Sequence, residues 1–310
     1  MLLIGGGTGG LAIASCLATF ASVAVVEAGG LYEQDNGNQF VVPYYGLVML
    51  VLGTTEDYPC PPPIDWDLSY IFDKLLPHFK KTSTLTPPNL AKRNAPNATI
   101  KYDPAAFDNS LRGPLHVSWA NWVDPTQSWL ALALQAVGMT LSPVVLSSGQ
   151  INGGAWVPTT IDPKDGTRST SKSSYLDSLS GPKPIVYLRS QASKITFERT
   201  KKATGVIVST NGTNYLLMLS GSGPASSLAS HGTPVISDLT GVGQNLWDQI
   251  FFNVLRDITV PNTGTYLSTP AQQAFAGSQY LINTTGPYSS AGGYLSFEKL
   301  PASYRKNLSA

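Results

Sequence analysis

Charge is scarce in this chain of 310 residues: 13% are Asp, Glu, Lys or Arg, and 20 basic against 19 acidic side chains leave a net charge of +1. No run of five or six like charges occurs, so the electrostatic footprint of a nucleic-acid binder is missing and small neutral molecules are the expected partners. Basic residues are absent before Lys74, whereas Glu27, Glu33, Asp35, Glu56, Asp57, Asp65, Asp67 and Asp73 all precede it. That excludes the basic start of a secretory signal, and no targeting segment is expected. Long apolar runs are lacking too. Residues 2–26 are interrupted by five glycines and Thr8 between Gly5 and Gly10, and Leu47–Leu52 is too short to cross a bilayer, so no membrane span is expected. The only cysteines, Cys16 and Cys60, lie far apart and read as small unpaired hydrophobes, with neither a disulfide framework nor a metal site. What the chain does have is 42% hydrophobic residues, enough for one large or two medium domains. Asn97, Asn211, Asn283 and Asn307 each begin an Asn-x-Ser/Thr triplet, the acceptor pattern of a glycoprotein if the chain is secreted.

The most informative stretch is the first. Leu2-Leu3-Ile4 forms a strand stub, Gly5-Gly6-Gly7-Thr8-Gly9-Gly10 follows at once, and the Ala/Leu-rich segment Leu11 to Thr19 reads as a helix before a second strand from Ser22 to Glu27. Gly5, Gly7 and Gly10 stand on the G-x-G-x-x-G spacing: one for the tight turn, one for close approach of a pyrophosphate, one for close packing of helix on strand. Thr8 opens the helix, whose free N–H groups and positive dipole end suit phosphate. Glu27 ends the second strand 22 residues after Gly5, where an acid accepts hydrogen bonds from ribose hydroxyls. Strand, glycines, helix, strand and acid together predict a Rossmann-like dinucleotide site at Gly5, Gly7, Thr8, Gly10 and Glu27. The fingerprint alone leaves NAD and FAD open.

Later landmarks carry a resemblance. Glu27-Ala28-Gly29-Gly30, Asp35-Asn36-Gly37-Asn38, Val41-Val42-Pro43, Ile64-Asp65-Trp66, Gly113 to Ser118, Thr159 to Ser174, Leu219 to Pro224 and Gly241 to Asp248 resemble successive signatures of the glucose-methanol-choline (GMC) oxidoreductases, in particular the fungal aryl-alcohol-oxidase-like branch. Ser222 stands where that family has an aliphatic residue, and Gln249 where it has His. The resemblance implies FAD as cofactor, a small-molecule alcohol as substrate, and frequent secretion. It also implies an α/β (α+β overall) fold: a Rossmann-like FAD-binding domain with a β-meander, and a discontinuous substrate domain. Pro184 to Leu188, Lys194 to Glu198, Thr204 to Ser209 and Tyr215 onward read as the meander, with Asn211-Gly212 as a hairpin turn. The expected boundaries are residues 1–100 and 165–250 for the FAD side, and 101–164 and 251–310 for an incomplete substrate side.

Departures from the family pattern bear on activity. Trp66 is followed almost directly by Leu75-Leu76-Pro77-His78-Phe79-Lys80-Lys81, without the Pro-Arg-Gly-Lys and Gly-Gly-Ser-Ser stretch that covers the flavin in the family. Around Asn214 to Met218 a family strand and turn are missing as well. Family catalysis uses a C-terminal His, and the sequence ends at Ala310 before a matching position. Only His78, His116 and His231 occur, each read as structural, so no catalytic residue is assigned. Three functions follow as expectations: an FAD-dependent alcohol oxidoreductase, catalytically incomplete in this chain; a non-catalytic remnant with weak or no nucleotide binding; and an NAD-dependent dehydrogenase, which every later landmark disfavours.

Overall fold

The computed structural model describes residues 1–35, 37, 41–45, 72–93, 95–139, 152–209, 216–244, 257–290 and 293–297. Leu47–Leu52, Cys60, the Ile64-Asp65-Trp66 landmark, Asn211-Gly212, Asn245 to Gln249 and Asn307 lie outside them. In chain order the elements are β1 (Leu2–Ile4), α1 (Thr8–Ala18), β2 (Ala24–Val26), α2 (Tyr32–Asp35), α3 (Phe72–Lys80), β3 (Ser83–Leu85) and β4 (Leu115–Val117). Then come α4 (Pro125–Ala136), β5 (Gly153–Trp156), β6 (Ile161–Asp162), β7 (Thr167–Arg168), β8 (Ile185–Tyr187), β9 (Gln191–Phe197) and β10 (Ala203–Ser209). The last are α5 (Leu216–Leu219), β11 (Ser222–Gly223), α6 (Ala225–Ser230), β12 (Ser237–Asp238), α7 (Thr263–Tyr266), α8 (Pro270–Asn283) and β13 (Tyr294–Phe297). They fall into two compact units: Met1–Gly37, Glu56–Ile71 and Thr170–Asn253 form unit 1, and Asn38–Thr55, Phe72–Ser169 and Val254–Ala310 form unit 2.

Unit 1 is built on a three-stranded parallel sheet in the order β1-β2-β8, with Leu3 opposite Val25 and Val25 opposite Val186. Parallel neighbours need a crossover, and α1 supplies it. Its Ala14 and Ala18 pack against Val23 and Val25, with Leu3, Leu17 and Val186 at the margin. Small residues on the inner helix face let α1 lie close on the sheet.

The segment expected as a meander is arranged differently in detail. Residues 185–187 are the third strand of the parallel sheet, whereas β9 and β10 pair as an antiparallel hairpin closed by a turn at Glu198 to Lys202, with Lys201 at φ +63°. The run Leu216-Leu217-Met218-Leu219, read as strand, is the short helix α5 packed against β9. Four consecutive apolar residues carry no period that separates strand from helix. Here Ser220 decides it: its Oγ donates to Leu216 O at 2.5 Å and accepts from Ile195 N at 2.8 Å, closing the helical turn onto β9.

Unit 2 contains a parallel pair, β3-β4, and an antiparallel pair, β5-β13. Its core joins Leu85, Ala98, Ile100, Val117, Trp119, Val123, Ala131, Trp156 and Tyr294. The Trp119 indole N–H donates to Trp156 O at 3.0 Å, and the Trp156 and Tyr294 rings meet edge to face. Both long helices have orderly starts. Asp124 caps α4 by accepting from Thr126 N at 2.8 Å, Thr269 caps α8, and a proline occupies the first turn of each. Residues 72–100 pack within this unit. Among the described residues, no helix is long and apolar enough to cross a membrane.

Candidate functional site

The glycine loop leaves β1 and enters α1 in the conformation its spacing predicts. Gly5 adopts φ +95°, and its N–H donates to Val26 O at 2.8 Å, which ties the loop to the end of β2. At Gly10 the geometry admits no side chain: a Cβ would lie 1.9 Å from Gly5 O. At Gly7 the reverse holds, because among the described residues a Cβ would meet nothing within 4 Å, which leaves space in front of the loop. Gly7 is also the N-cap of α1 and supplies no side-chain cap, and Leu11 N is the first amide to reach back, to Gly7 O at 3.0 Å. The first-turn N–H groups of Thr8, Gly9 and Gly10 therefore have no acceptor in the helix. Such an end binds anions.

Glu27 follows β2 directly and is half-buried. Its carboxylate is anchored at both oxygens: Oε2 accepts from Gly6 N at 2.5 Å and Oε1 from Gly29 N at 2.7 Å. The acid thus clasps the glycine loop to the strand end, a role its position in the sequence did not reveal. An ionised carboxylate offers about four lone-pair sites, so two remain for ribose hydroxyls. The structure brings Gly5, Gly7, Thr8, Gly10 and Glu27 together in one open cradle of unit 1. Sequence reasoning missed the two amides that hold Glu27, since a backbone donor has no sequence signature. Beyond Glu27, Arg189 has φ +53°, its N–H donates to Gly29 O at 2.9 Å, and its guanidinium pairs with Asp35 at 2.5 Å. A Cβ at Gly30 would lie 1.7 Å from Asp35 Oδ2 and 3.1 Å from Arg189 Nε, so a larger residue there would displace this ion pair.

The three histidines fall elsewhere. His78 is exposed near the end of α3, and His231 is the exposed C-cap of α6. His116 on β4 places Nε2 at 3.8 Å from Asp162 Oδ2, beside an open cavity of about 710 Å³ in unit 2 that Ser118 and Asn121 also line. Among the described residues, no cluster of three His, Cys, Asp or Glu could hold a metal ion.

No protein-family model matches the chain. A curated relative, the glucose methanol choline oxidoreductase atC of Aspergillus terreus, is 34% identical over 374 residues, spanning 97% of this chain and 60% of the relative. The chain belongs to the glucose-methanol-choline oxidoreductase family. Its fold agrees. An FAD-dependent oxidoreductase from Chaetomium thermophilum superposes with a TM-score of 0.77 at 26% identity, covering 98% of this chain and 63% of that one. A fungal aryl-alcohol oxidase shares the fold with a TM-score of 0.66 at 21% identity, covering 94% and 60%. The chain thus spans about 60% of the length of the curated relative, and its mixed helix-and-strand architecture is that of FAD-dependent GMC oxidoreductases.

Proposed function

We propose that this chain binds FAD through unit 1, with Gly5, Gly7, Thr8 and Gly10 around the pyrophosphate and Glu27 on the adenosine ribose, and serves the oxidation of alcohol groups on small molecules. One observation carries the reading: the open space before Gly7 and the uncapped end of α1 stand beside a carboxylate locked in place by Gly6 and Gly29. These residues fit a dinucleotide, because the N–H groups at the end of α1 suit phosphate and the free lone pairs of Glu27 suit hydroxyls. FAD, when bound, supplies the hydride acceptor. Unit 1 positions the cofactor, and unit 2 is the substrate side. Titrating the purified chain with FAD and with NAD tests this. FAD is expected to bind more tightly, and equal or better binding of NAD would contradict it.

A second reading is favoured by the alignment itself. The match to the Aspergillus terreus relative runs over 374 residues, at least 64 more than the 310 of this chain, so segments of the relative have no counterpart here. On that reading the chain is a non-catalytic remnant that holds its nucleotide weakly. Yellow chromophore retained through purification, with peroxide release or dye reduction over benzylic, allylic and sugar alcohols, supports the enzyme. A colourless chain without turnover supports the remnant.

A further inference from the structure

Arg93 is a buried cation whose partners do not satisfy it. Its side chain is 5% exposed, Nη1 donates to Ala120 O at 2.5 Å, and the guanidinium carbon lies 5.2 Å from the centre of the Trp156 ring. Nε and Nη2 are buried and have no hydrogen-bond partner, and among the described residues no acid lies within ion-pair distance. Those two N–H groups are adjacent and point the same way along one edge of the planar guanidinium. Together they form the fork with which arginine grips an anion.

Arg93 lines a cavity of about 10 Å³ together with Trp119, Trp122, Asp124, Gln127 and Ser290. Asp124 and Gln127 on this wall already accept hydrogen bonds. Asp124 Oδ1 takes Thr126 N at 2.8 Å, and Oδ2 takes Thr263 N at 2.8 Å and Thr263 Oγ1 at 2.5 Å. Gln127 Oε1 takes Tyr294 N at 3.1 Å. The Arg93 fork remains, two donors without acceptors among aromatic rings, with the Asp124 carboxylate on the same wall but outside ion-pair distance. We propose that the Arg93 fork binds one halide-sized anion, chloride in ordinary salt, between Nε and Nη2. A water molecule would accept hydrogen bonds there but bring no charge, whereas an anion would place an acceptor and a counter-charge at hydrogen-bond distance, closer to the guanidinium than Asp124. Burial already pulls the Arg93 pKa down to about 10, as expected of a cation without a counter-charge. Anions of several heavy atoms, such as sulfate or gluconate, exceed the space.

The test uses the full chain in sodium chloride against sodium gluconate at equal ionic strength. Chloride-35 resonance should show excess line width that saturates with protein, and Arg93→Lys, which keeps the charge but not the fork, should weaken chloride binding by about tenfold or more. Crystals of the unaltered protein grown in sodium bromide should show an anomalous peak within hydrogen-bond reach of Nε and Nη2, a readout that needs no variant to fold. No anomalous peak, with an ordered water in its place, overturns the proposal. So does chloride line width that is the same in the unaltered protein and in Arg93→Lys.

Discussion

Unit 1 and unit 2 differ most in what lies beneath their surfaces. Among the described residues, unit 2 buries nine in one cluster, including Trp119, Trp156 and Tyr294, and ties it with an indole hydrogen bond. The corresponding cluster in unit 1 is Ala14, Ala18, Val23 and Val25, under strands of three residues each. Burying a large side chain contributes about 1.5–3 kcal/mol, and an alanine far less. Among the described residues, the proposed nucleotide cradle of unit 1 therefore stands on the thinner of the two clusters, while Met1, Phe20 and Ile185 leave apolar surface exposed around its sheet. A site made of backbone amides and glycines needs close approach rather than bulk, and the same small residues that permit it limit the burial. Binding of FAD as proposed would add stability to this unit by mass action.

The largest effect that would sharpen this contrast is expected in unit 2. Trp119→Ala removes a side chain that is 2% exposed, and should destabilise the unit by about 3–5 kcal/mol, read by denaturant titration. Within the cluster between α1 and the sheet of unit 1 no single side chain should cost as much by truncation, and a loss of similar size from Val25→Ala would break the comparison. Enlarging a residue there is another matter. Gly10→Val drives a Cβ into Gly5 O and should lower FAD affinity by about a hundredfold, roughly 3 kcal/mol, read by calorimetry. Glu27→Ala comes next, at about 1–3 kcal/mol of FAD affinity. Because both carboxylate oxygens hold backbone amides, Glu27→Gln should retain one anchor through its carbonyl oxygen and lose less. Equal losses from the two changes would mean that charge rather than geometry matters at this position.

A smaller, pH-dependent effect belongs to unit 2. Tyr280 donates its hydroxyl to Gly166 O at 3.1 Å, and burial, with Asp165 nearby, raises its pKa from 10.0 to about 12. The folded state favours the protonated phenol, so this stabilisation is complete below pH 10 and fades as pH rises toward 12. Tyr280→Phe should flatten that part of the stability profile. An unchanged profile would remove Tyr280 from the account.

How much was legible beforehand follows the range of the interactions. The β1-loop-α1-β2 run and Glu27 were readable because every requirement there is local: a period of apolar residues, a spacing of glycines, an acid at a strand end. The helix at Leu216–Leu219 was not, since Ser220 and Ile195, 25 residues apart, close it onto β9. Arg93 gave no warning either. A basic residue in a Pro/Asn-rich stretch reads as solvated surface, and only the packing of Trp119, Trp122 and Trp156 encloses it. The clasp of Glu27 by Gly6 and Gly29 was hidden for a third reason, because main-chain donors are the same at every residue.

The contrast between a thinly packed unit with the proposed nucleotide site and a well-packed one is tested most directly by amide hydrogen exchange of the chain with and without FAD, followed peptide by peptide. Without FAD, residues 1–30 and 185–209 should exchange faster than residues 115–136 and 153–156. With FAD, residues 5–11 and 24–30 should slow by about tenfold or more, and NAD should do less. Equal protection of the two units without ligand, or exchange at residues 5–11 that FAD leaves unchanged, would contradict both the stability contrast and the nucleotide site.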